Sequence, residues 1–339
     1  MKKSFTAVCR SPWFVLNWCY LRPFLKRITS AKIHVAVCRI RNRFQPSFCQ
    51  YAPRPLQLPA SYSTPIALPA PDRLPVVSIV TPSLNQAAFL ERTMQSVLRQ
   101  NYPKLEYIIM DGASKDGTDR ILTSYADQVA YLDSRKDGGQ AHALNHGFRY
   151  ASGEIMAWLN ADDLLLPGAI ACIVQFFLDH PEVDVVYGHR ICIDEEDREI
   201  GRWILPSHDP TILSWANYVP QETLFWRRRL WEQVGASVDE SYQFALDWEL
   251  LLRFQKSGAN FARIPRFLGA FRVHPAQKTS RLADIGQQEA ARLHASAHSR
   301  PVEWLEVRYH VRKYLMRTVW QYLLLYMKCC RSGNLSAWK

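Results

Sequence analysis

Several acidic side chains of this 339-residue sequence stand where an apolar run ends, and they are the residues best suited to do chemistry. Asp162 and Asp163 directly follow the apolar run 155–159, and adjacent carboxylates are best tolerated where a divalent cation neutralises them. Mg²⁺ or Mn²⁺ held there would bridge to the phosphates of a substrate. The alternative is a helix N-cap, and the pair alone favours neither interpretation. His274, at a later strand end, could supply a third metal ligand.

Three further segments place a polar group beside a turn or at the start of a helix. Asp111 ends the apolar run 107–110, where its carboxylate could accept hydrogen bonds from a nucleobase or a ribose. The segment 137–139 contains two glycines before a predicted helix, so backbone N–H groups could face an anion there. Asp247 opens an apolar helix and could be a general base with a raised pKa. For each of them, the alternative is a turn or a helix cap.

Short apolar runs alternate with segments of helical periodicity between residues 76 and 163. Strands are predicted at 76–80, 107–110, 129–132 and 155–159, and helices at 89–98, 118–126 and 140–150. This alternation is typical of βαβ units, so the expected fold class is α/β, with a mostly parallel sheet flanked by helices. A ligand site then lies outside the carboxyl ends of the strands, where the polar clusters 81–85, 111–117 and 160–163 are found.

The rest of the chain is less regular. The pattern predicts a hairpin at 194–197, a helix over 247–255, strands at 261–264 and 267–273, and two helices between 282 and 330 that separate near 299–301. The eight cysteines form no C-x-x-C pair and no zinc pattern. No apolar run reaches the roughly 20 residues of a spanning helix. We therefore expect a cytoplasmic protein with reduced thiols.

The net charge of +11 belongs to the first 75 residues. They hold twelve Lys or Arg against one acid, Asp72, whereas the other 264 residues hold 30 basic and 30 acidic residues. This distribution disfavours nucleic acid as a partner of the folded body. Residues 51–75 are rich in proline and are predicted to form an extended linker. Residues 1–75 are thus expected to be a poorly ordered leader, or a basic anchor for anionic lipid.

Segments in a fixed order resemble the family 2 glycosyltransferases of GT-A fold. They are 77–85, 111–118, 137–147, 153–163, 246–253 and 272–275. The resemblance covers about residues 76–280. Together with the composition and periodicity of the flanking residues, it gives three expected parts: a leader and linker at 1–75, a GT-A glycosyltransferase domain at 76–280, and a helical extension at 281–339.

The resemblance also assigns roles to individual residues. Those expected to contact the nucleotide of a nucleotide diphospho-sugar are Thr81, Pro82, Asp111, Gly139, Asn160 and Ala161. Those expected to hold the divalent cation, Mn²⁺ or Mg²⁺, are Asp162, Asp163 and His274. Those expected to shape the acceptor site are Gln221, Glu222 and Trp248. Asp247 matches the catalytic base of the family.

Two positions depart from the family pattern. Asn160 stands where the D-x-D element has its first acid, so a ribose or metal contact from this position would be neutral. Leu246 stands where the family often has the first acid of a Glu-Asp pair, so Asp247 lacks a neighbouring charge. The Q-x-x-R-W signature of processive synthases is also missing, which favours the transfer of one sugar per event.

The leading hypothesis from the resemblance is an inverting, metal-dependent sugar transfer in cell-surface or secreted polysaccharide biosynthesis. The donor would be a nucleotide diphospho-sugar, with UDP favoured, and the acceptor a hydroxyl of a glycan or a lipid-linked molecule. A non-catalytic nucleotide-sugar or glycan-binding module is the alternative that Asn160 and Leu246 favour. A sugar nucleotidyltransferase is disfavoured, because the loop 82–86 is neither glycine-rich nor basic.

The segment 304–327 mixes aromatic, aliphatic and basic residues, a mixture typical of a helix at a membrane interface. Basic residues within the segment make crossing the bilayer costly. Two hypotheses stay open. The helix could attach the protein peripherally to an anionic surface at the cytoplasmic face of a membrane, or its apolar stripe could pack on the catalytic domain or on a second subunit.

Overall fold

The computed structural model describes residues 48–278 and 282–331, without the side chains of 318, 319 and 321–331. The chain divides into two compact units. The sheet unit consists of Leu58–Arg190 and Asn217–Arg272. Among the described residues, the helical unit contains Ile191–Ala216 together with 48–57, 273–278 and 282–331. Of the leader and linker predicted at 1–75, residues 1–47 lie outside the described residues.

The predicted secondary structure is largely confirmed, with small shifts at element ends. The strands are β1 (Val77–Ser83), β2 (Leu105–Asp111), β3 (Tyr131–Ser134), β4 (Ile155–Trp158), β5 (Leu164–Leu165), β6 (Val185–Ile193), β7 (Glu199–Trp203), β8 (Phe225–Arg227) and β9 (Phe261–Arg272). The helices are α1 (Ala87–Leu98), α2 (Thr118–Tyr125), α3 (Gln140–Phe148), α4 (Ala169–Asp179), α5 (Pro210–Leu213), α6 (Arg228–Gln233), α7 (Leu246–Lys256), α8 (Ala283–His298) and α9 (Trp304–Arg331). The two strands predicted at 261–264 and 267–273 are one continuous strand, β9, because Pro265 is exposed and does not interrupt it.

The sheet runs in the order β3-β2-β1-β4-β8-β6-β9-β5. β1 pairs in parallel with β2 and β4, and β2 pairs in parallel with β3, so the predicted parallel sheet is confirmed for this half. β8 is antiparallel to both β4 and β6, and β5 is antiparallel to β9, which makes the whole sheet mixed. The carboxyl ends of β1, β2 and β4 consequently lie along one edge, where the polar clusters were expected.

Helix α3 lies close against the sheet because one of its residues is glycine. A Cβ added at Gly147 would stand 2.6 Å from Val80 Cγ1 and 2.9 Å from Met110 Cγ, both in buried strands. A larger side chain would therefore push the helix away from β1 and β2. The same helix begins next to Gly139, so its distance from the sheet also sets the position of the segment expected to face the donor phosphates.

The proline-rich segment 51–75 makes specific contacts with residues of each unit. Its interpretation as an extended linker did not predict these contacts. In the helical unit, Arg54 forms a β-bridge with Glu199. The fully buried Glu199 carboxylate accepts hydrogen bonds from Tyr51, Arg54 and Arg202. In the sheet unit, the Tyr62 hydroxyl contacts the backbone of Phe267. Proline content predicts a stiff backbone, but these contacts come from the side chains between the prolines.

In the helical unit, α8 and α9 pack around Trp215. The Trp215 ring lies 3.9 Å from the His298 ring and 4.0 Å from the His310 ring, measured between centroids, and His310 is stacked at 3°. His294 Nε2 is 2.9 Å from the carbonyl oxygen of Trp215. The described part of the predicted extension, residues 282–331, thus belongs to the same unit as 191–216. Among the described residues, no helix has both the length and the apolar character that a membrane span requires.

We expect Gly147→Val to destabilise the protein by about 1–3 kcal/mol, because the new side chain overpacks α3 against β1 and β2. The measurement is the free energy of unfolding in urea. Arg149→Val, at the exposed end of the same helix, is the matched control and is expected to change stability by less than about 0.5 kcal/mol. A Gly147→Val protein as stable as the control would contradict the close packing of α3.

Candidate active site

The loop after β4 is held in place by α1 and β9. The Thr93 hydroxyl of α1 lies 2.9 Å from the carbonyl oxygen of Ala161 and 2.8 Å from that of Asp163. From β9, the fully buried Arg272 donates from Nε to the carbonyl oxygen of Asp162 at 2.8 Å, and from its backbone N–H to Asp163 Oδ1 at 3.0 Å. The backbone of this loop is thus fixed from both sides, which restricts where the Asp162 carboxylate can lie.

Asn160 is the centre of a chain of side-chain amides. Its Nδ2 donates to Gln221 Oε1 at 3.0 Å and to Asp163 Oδ2 at 3.3 Å, and its Oδ1 accepts from Gln140 Nε2 at 2.8 Å. Gln221 in turn donates to the carbonyl oxygen of Trp158 at 2.8 Å. A carboxylate at position 160 could not donate to either oxygen. The departure from the D-x-D pattern therefore has a structural reason.

The two adjacent aspartates have different environments. Asp163 is buried, and both of its carboxylate oxygens accept hydrogen bonds from within the protein. Burial raises the pKa of Asp163 well above its usual range, and the charges of Asp162 and Glu222 act in the same direction. Asp163 therefore holds the loop, and its role as a metal ligand stays a prediction. Asp162 is only half-buried, so its carboxylate is the better placed of the two to meet a bound ion.

A single carboxylate at Asp162 fits a cation that is shared with a substrate. Within residues 48–278 and 282–331, no three His, Cys, Asp or Glu side chains form a group that could hold a metal by themselves. Mg²⁺ in nucleotide sites is usually held by one or two carboxylates together with substrate phosphates, and Asp162 meets that requirement. His274 is buried in the helical unit, where its backbone N–H donates to Gln277 Oε1 at 3.1 Å. Its role as a further ligand stays a prediction.

The two segments expected to contact the nucleotide converge beside β2. The Asp111 carboxylate accepts hydrogen bonds from the Ser114 backbone N–H at 2.9 Å and from the Ser134 hydroxyl at 2.7 Å. A Cβ added at Gly112 would stand 3.2 Å from Asp137 Oδ2, so the segments 111–117 and 137–139 are in contact. Asp111 is buried and its carboxylate is held by Ser114 and Ser134, so its contact with a base or a ribose stays a prediction.

Gly139 has a backbone conformation that only glycine adopts readily. Its φ is +109° and its ψ is −175°, and its N–H donates to Asp137 Oδ1 at 2.8 Å. Space does not require glycine here, because an added Cβ would meet nothing within 4 Å. The turn leads directly into the nine residues of α3, and the N-terminus of a helix favours anions.

Three other residues expected to contact the nucleotide are buried. The Thr81 hydroxyl is 3.1 Å from the Tyr107 hydroxyl inside the fold, and Pro82 is buried beside it in β1. Ala161 is also buried, with its carbonyl oxygen next to Thr93. Any contact of these residues with a base would have to come from their backbone, so the predicted contacts of Thr81, Pro82 and Ala161 await a test by binding.

Asp247 lies in the first turn of α7, as predicted, with its carboxylate half-buried. Its Oδ2 accepts from Asn217 Nδ2 at 2.8 Å, and its Oδ1 accepts from the Trp248 backbone N–H at 2.8 Å. Burial raises the pKa of Asp247, although the hydrogen bond from Asn217 and the charge of Arg190 oppose that shift. A carboxylate with a raised pKa has the basicity that proton abstraction near neutral pH requires.

Glu222, one of the residues expected to shape the acceptor site, forms a buried ion pair with Arg190. Arg190 donates from Nε to Glu222 Oε1 at 2.7 Å and from Nη2 to Glu222 Oε2 at 2.5 Å. The charge of Arg190 also opposes the rise that burial causes in the pKa of both Asp163 and Asp247. Glu222 is therefore engaged in a structural pair, and Trp248 is buried as well. A direct contact of Gln221, Glu222 or Trp248 with an acceptor stays a prediction.

Sequence reasoning missed the two buried arginines and Asn217. A single Arg190 within the apolar strand 185–193 was the available signal, because a buried arginine requires a carboxylate or carbonyl partner. Arg272 lies in the segment 272–275 that resembles the family, but the sequence analysis assigned a role only to His274 of that segment. Asn217 lies 30 residues from Asp247, and no local pattern in the sequence connects them.

The mixed sheet with its flanking helices has the architecture of a GT-A fold. A fragment of Staphylococcus aureus TarS, solved in complex with UDP-GlcNAc, has a similar fold, with a TM-score of 0.56. The similarity covers 71% of this chain and 72% of that chain, and the two sequences are 16% identical.

The family model for Glycosyl transferase family 2 matches residues 78–238, and the chain belongs to this family. An uncharacterized glycosyltransferase of Mycobacterium tuberculosis is 31% identical over 185 residues, which cover 53% of this chain and 68% of that protein. One of Rickettsia typhi is 29% identical over 215 residues. That alignment covers 61% of this chain and 66% of the Rickettsia protein, so slightly less than two thirds of that relative is matched.

We expect Asn160→Asp to destabilise the protein, although it restores the D-x-D pattern. The substitution removes the donor to Gln221 and Asp163 and leaves a second carboxylate beside a buried one, at a cost of about 1–3 kcal/mol per unsatisfied group. The folded state then binds protons more tightly than the unfolded state. The loss of stability therefore grows as the pH rises from about 5 to about 8.

The measurement is urea unfolding at both pH values. Asn101→Asp makes the same change of charge at an exposed position and is expected to have a small effect that varies little with pH. Equal stability of Asn160→Asp and this control at both pH values would contradict the role assigned to the Asn160 amide.

Proposed function

We propose that this protein transfers a sugar from a nucleotide diphospho-sugar to a hydroxyl acceptor with inversion at the anomeric carbon, and that the reaction requires Mn²⁺ or Mg²⁺. One observation carries the proposal. The loop after β4 is fixed by Thr93 and Arg272, so the half-buried Asp162 stays at the carboxyl edge of the sheet. Asp247, half-buried in the first turn of α7, is a candidate base within the same sheet unit.

Donor binding is proposed along the strand edge. The N-terminus of α3, which begins after Gly139, is suited to the diphosphate, and Asp111 to the base or the ribose. Asp162 would hold the divalent cation against the diphosphate oxygens. When bound, such an ion neutralises the charge that develops on the departing diphosphate. Membership of the family supports this arrangement, and the fixed backbone around Asp162 keeps its carboxylate at one place on the edge.

The proposed chemical step uses Asp247 as the general base. The acceptor hydroxyl oxygen forms a bond to the anomeric carbon while the bond from that carbon to the diphosphate oxygen breaks. The diphosphate leaves with the electron pair, and the hydroxyl proton passes to Asp247. A single displacement from the opposite face inverts the anomeric configuration. Asn217 donates to Oδ2 and the Trp248 backbone N–H donates to Oδ1, which orients the carboxylate and leaves one lone pair on each oxygen to accept the proton.

The donor class and the biological setting are proposed from the relatives. The TarS fragment of similar fold was solved with UDP-GlcNAc, which is consistent with a UDP-sugar. RfbC of Myxococcus xanthus is named an O-antigen biosynthesis protein, and it is 30% identical over 218 residues, which cover 63% of this chain and 17% of RfbC. A role in cell-surface or secreted polysaccharide biosynthesis, with a glycan or lipid-linked acceptor, is consistent with that relative.

We expect Asp247→Asn to lower turnover by about 10²–10⁴-fold and to leave nucleotide binding unchanged. The measurement is hydrolysis or transfer from a panel of nucleotide sugars with Mn²⁺, together with UDP binding by calorimetry. Glu249→Gln changes the next acid of the same helix turn and is the matched control, with turnover close to that of the unaltered protein. Near-normal turnover in Asp247→Asn would remove this residue from the mechanism. An unaltered protein that binds UDP but neither transfers nor hydrolyses would indicate a binding module.

The dependence of kcat on pH tests whether Asn217 lowers the pKa of Asp247. The base form of Asp247 is lost as the pH falls through its raised pKa, so activity declines on the acid side. The hydrogen bond from Asn217 lowers that pKa, and Asn217→Ala is therefore expected to move the acid limb to higher pH. An acid limb that stays in place, with only the maximal rate reduced, would show that Asn217 does not tune Asp247.

A further inference from the structure

Helix α9 uses one face to pack within the helical unit. Val307 and Tyr314 are buried, and the ring of His310 stacks on Trp215. These positions are separated by three and four residues, so they lie on one side of the helix. Arg317 adds an ion pair to Asp209 beside the same face. The apolar stripe expected at 304–327 is therefore only partly used for packing.

The opposite face of α9 presents large apolar side chains to solvent. The exposed fractions of Leu305, Tyr309, Met316 and Trp320 are 66%, 58%, 50% and 60%. At 3.6 residues per turn they fall within a sector of about 60° that points away from Val307. Five of the eight large apolar side chains that are exposed in the described part of the chain lie on α9. A concentration of this kind on one face marks an interaction surface.

Basic side chains border this apolar stripe on both sides. By the same helical spacing, Arg308 and Arg312 lie along one border and Lys313 and Arg317 along the other. Arg312 and Lys313 are exposed, and the Lys313 ammonium is 5.0 Å from the centre of the Tyr309 ring. The only acid in the sequence of α9 is Glu306, which is paired with Arg300. The face is therefore complementary to an anionic partner.

We propose that this outer face of α9, with Leu305, Tyr309, Met316 and Trp320 at its centre, binds the surface of an anionic membrane. A narrow apolar stripe bordered by bases is typical of helices that lie in the headgroup region, and Trp and Tyr prefer that depth. Nucleic acid would attract the bases but gives Leu305 and Met316 no apolar partner. A second copy of the helix would bring the bases of both copies together. The inference does not depend on the transferase activity.

The test is flotation of the full-length protein with lipid vesicles. We expect binding to phosphatidylcholine vesicles that contain roughly a third phosphatidylglycerol, and weaker binding as salt is raised, because salt screens exposed charges. Arg312→Gln with Lys313→Gln is expected to weaken partitioning by about 30-fold, at about fivefold for each base. Leu305→Ser with Met316→Ser is expected to weaken it by about tenfold or more, through the loss of apolar burial.

Matched controls make the same changes away from α9. Arg99→Gln with Arg120→Gln removes two exposed bases of the sheet unit, and Leu178→Ser removes an exposed apolar side chain of α4. These variants are expected to float like the unaltered protein, and thermal unfolding checks that every variant is folded. The proposal is overturned if the unaltered protein ignores anionic vesicles, or if the α9 variants float as well as the controls. Binding to duplex DNA in place of vesicles, or a dimer that these α9 substitutions dissociate, would equally overturn it.

Discussion

A buried carboxylate at the end of β4 constrains the whole carboxyl edge of the sheet. Asp163 lies out of solvent, and a buried carboxylate is tolerated only where donors satisfy its oxygens. Arg272 provides one donor through its backbone N–H, and Asn160 provides the other. Position 160 must therefore donate, and its neighbours Gln140 and Gln221 continue the same chain of amides. The loop that carries Asp162 takes its shape from this requirement.

Four acids of the sheet unit fall into two groups, one buried and structural and one half-buried and open to ligands. Asp163 is buried and hydrogen-bonded, so it fixes the loop, whereas Glu222 is buried and balances the charge of Arg190. Asp162 and Asp247 stay half-buried, which leaves them within reach of ligands. The buried arginine charge also opposes the rise in the pKa of Asp247 that burial causes. Proposed donor binding and proposed proton abstraction thus use the two half-buried acids, Asp162 and Asp247.

The sequence alone was sufficient to predict the helices and strands and the polar clusters at the carboxyl edge of the sheet. It was not sufficient to predict the hydrogen bonds between segments that are distant in the chain. Local apolar periodicity located β1, β2, β4 and their helices, since each is encoded within a dozen residues. It also placed Asp247 in the first turn of α7. The bonds of Asn160 to residues 20 and 61 positions away have no local signature. The proline-rich segment 51–75 is likewise held by long-range side-chain contacts, such as that of Tyr62 with Phe267.

The central claim is that a nucleoside diphosphate and a divalent cation bind together at Asp162. Calorimetric titration of UDP into the full-length protein, with Mn²⁺ and then with EDTA, tests it most directly. The account predicts tight binding that requires Mn²⁺ in the unaltered protein and the loss of that requirement, with weaker binding, in Asp162→Asn. Equal affinity for UDP with Mn²⁺ and with EDTA, unchanged by Asp162→Asn, would contradict it.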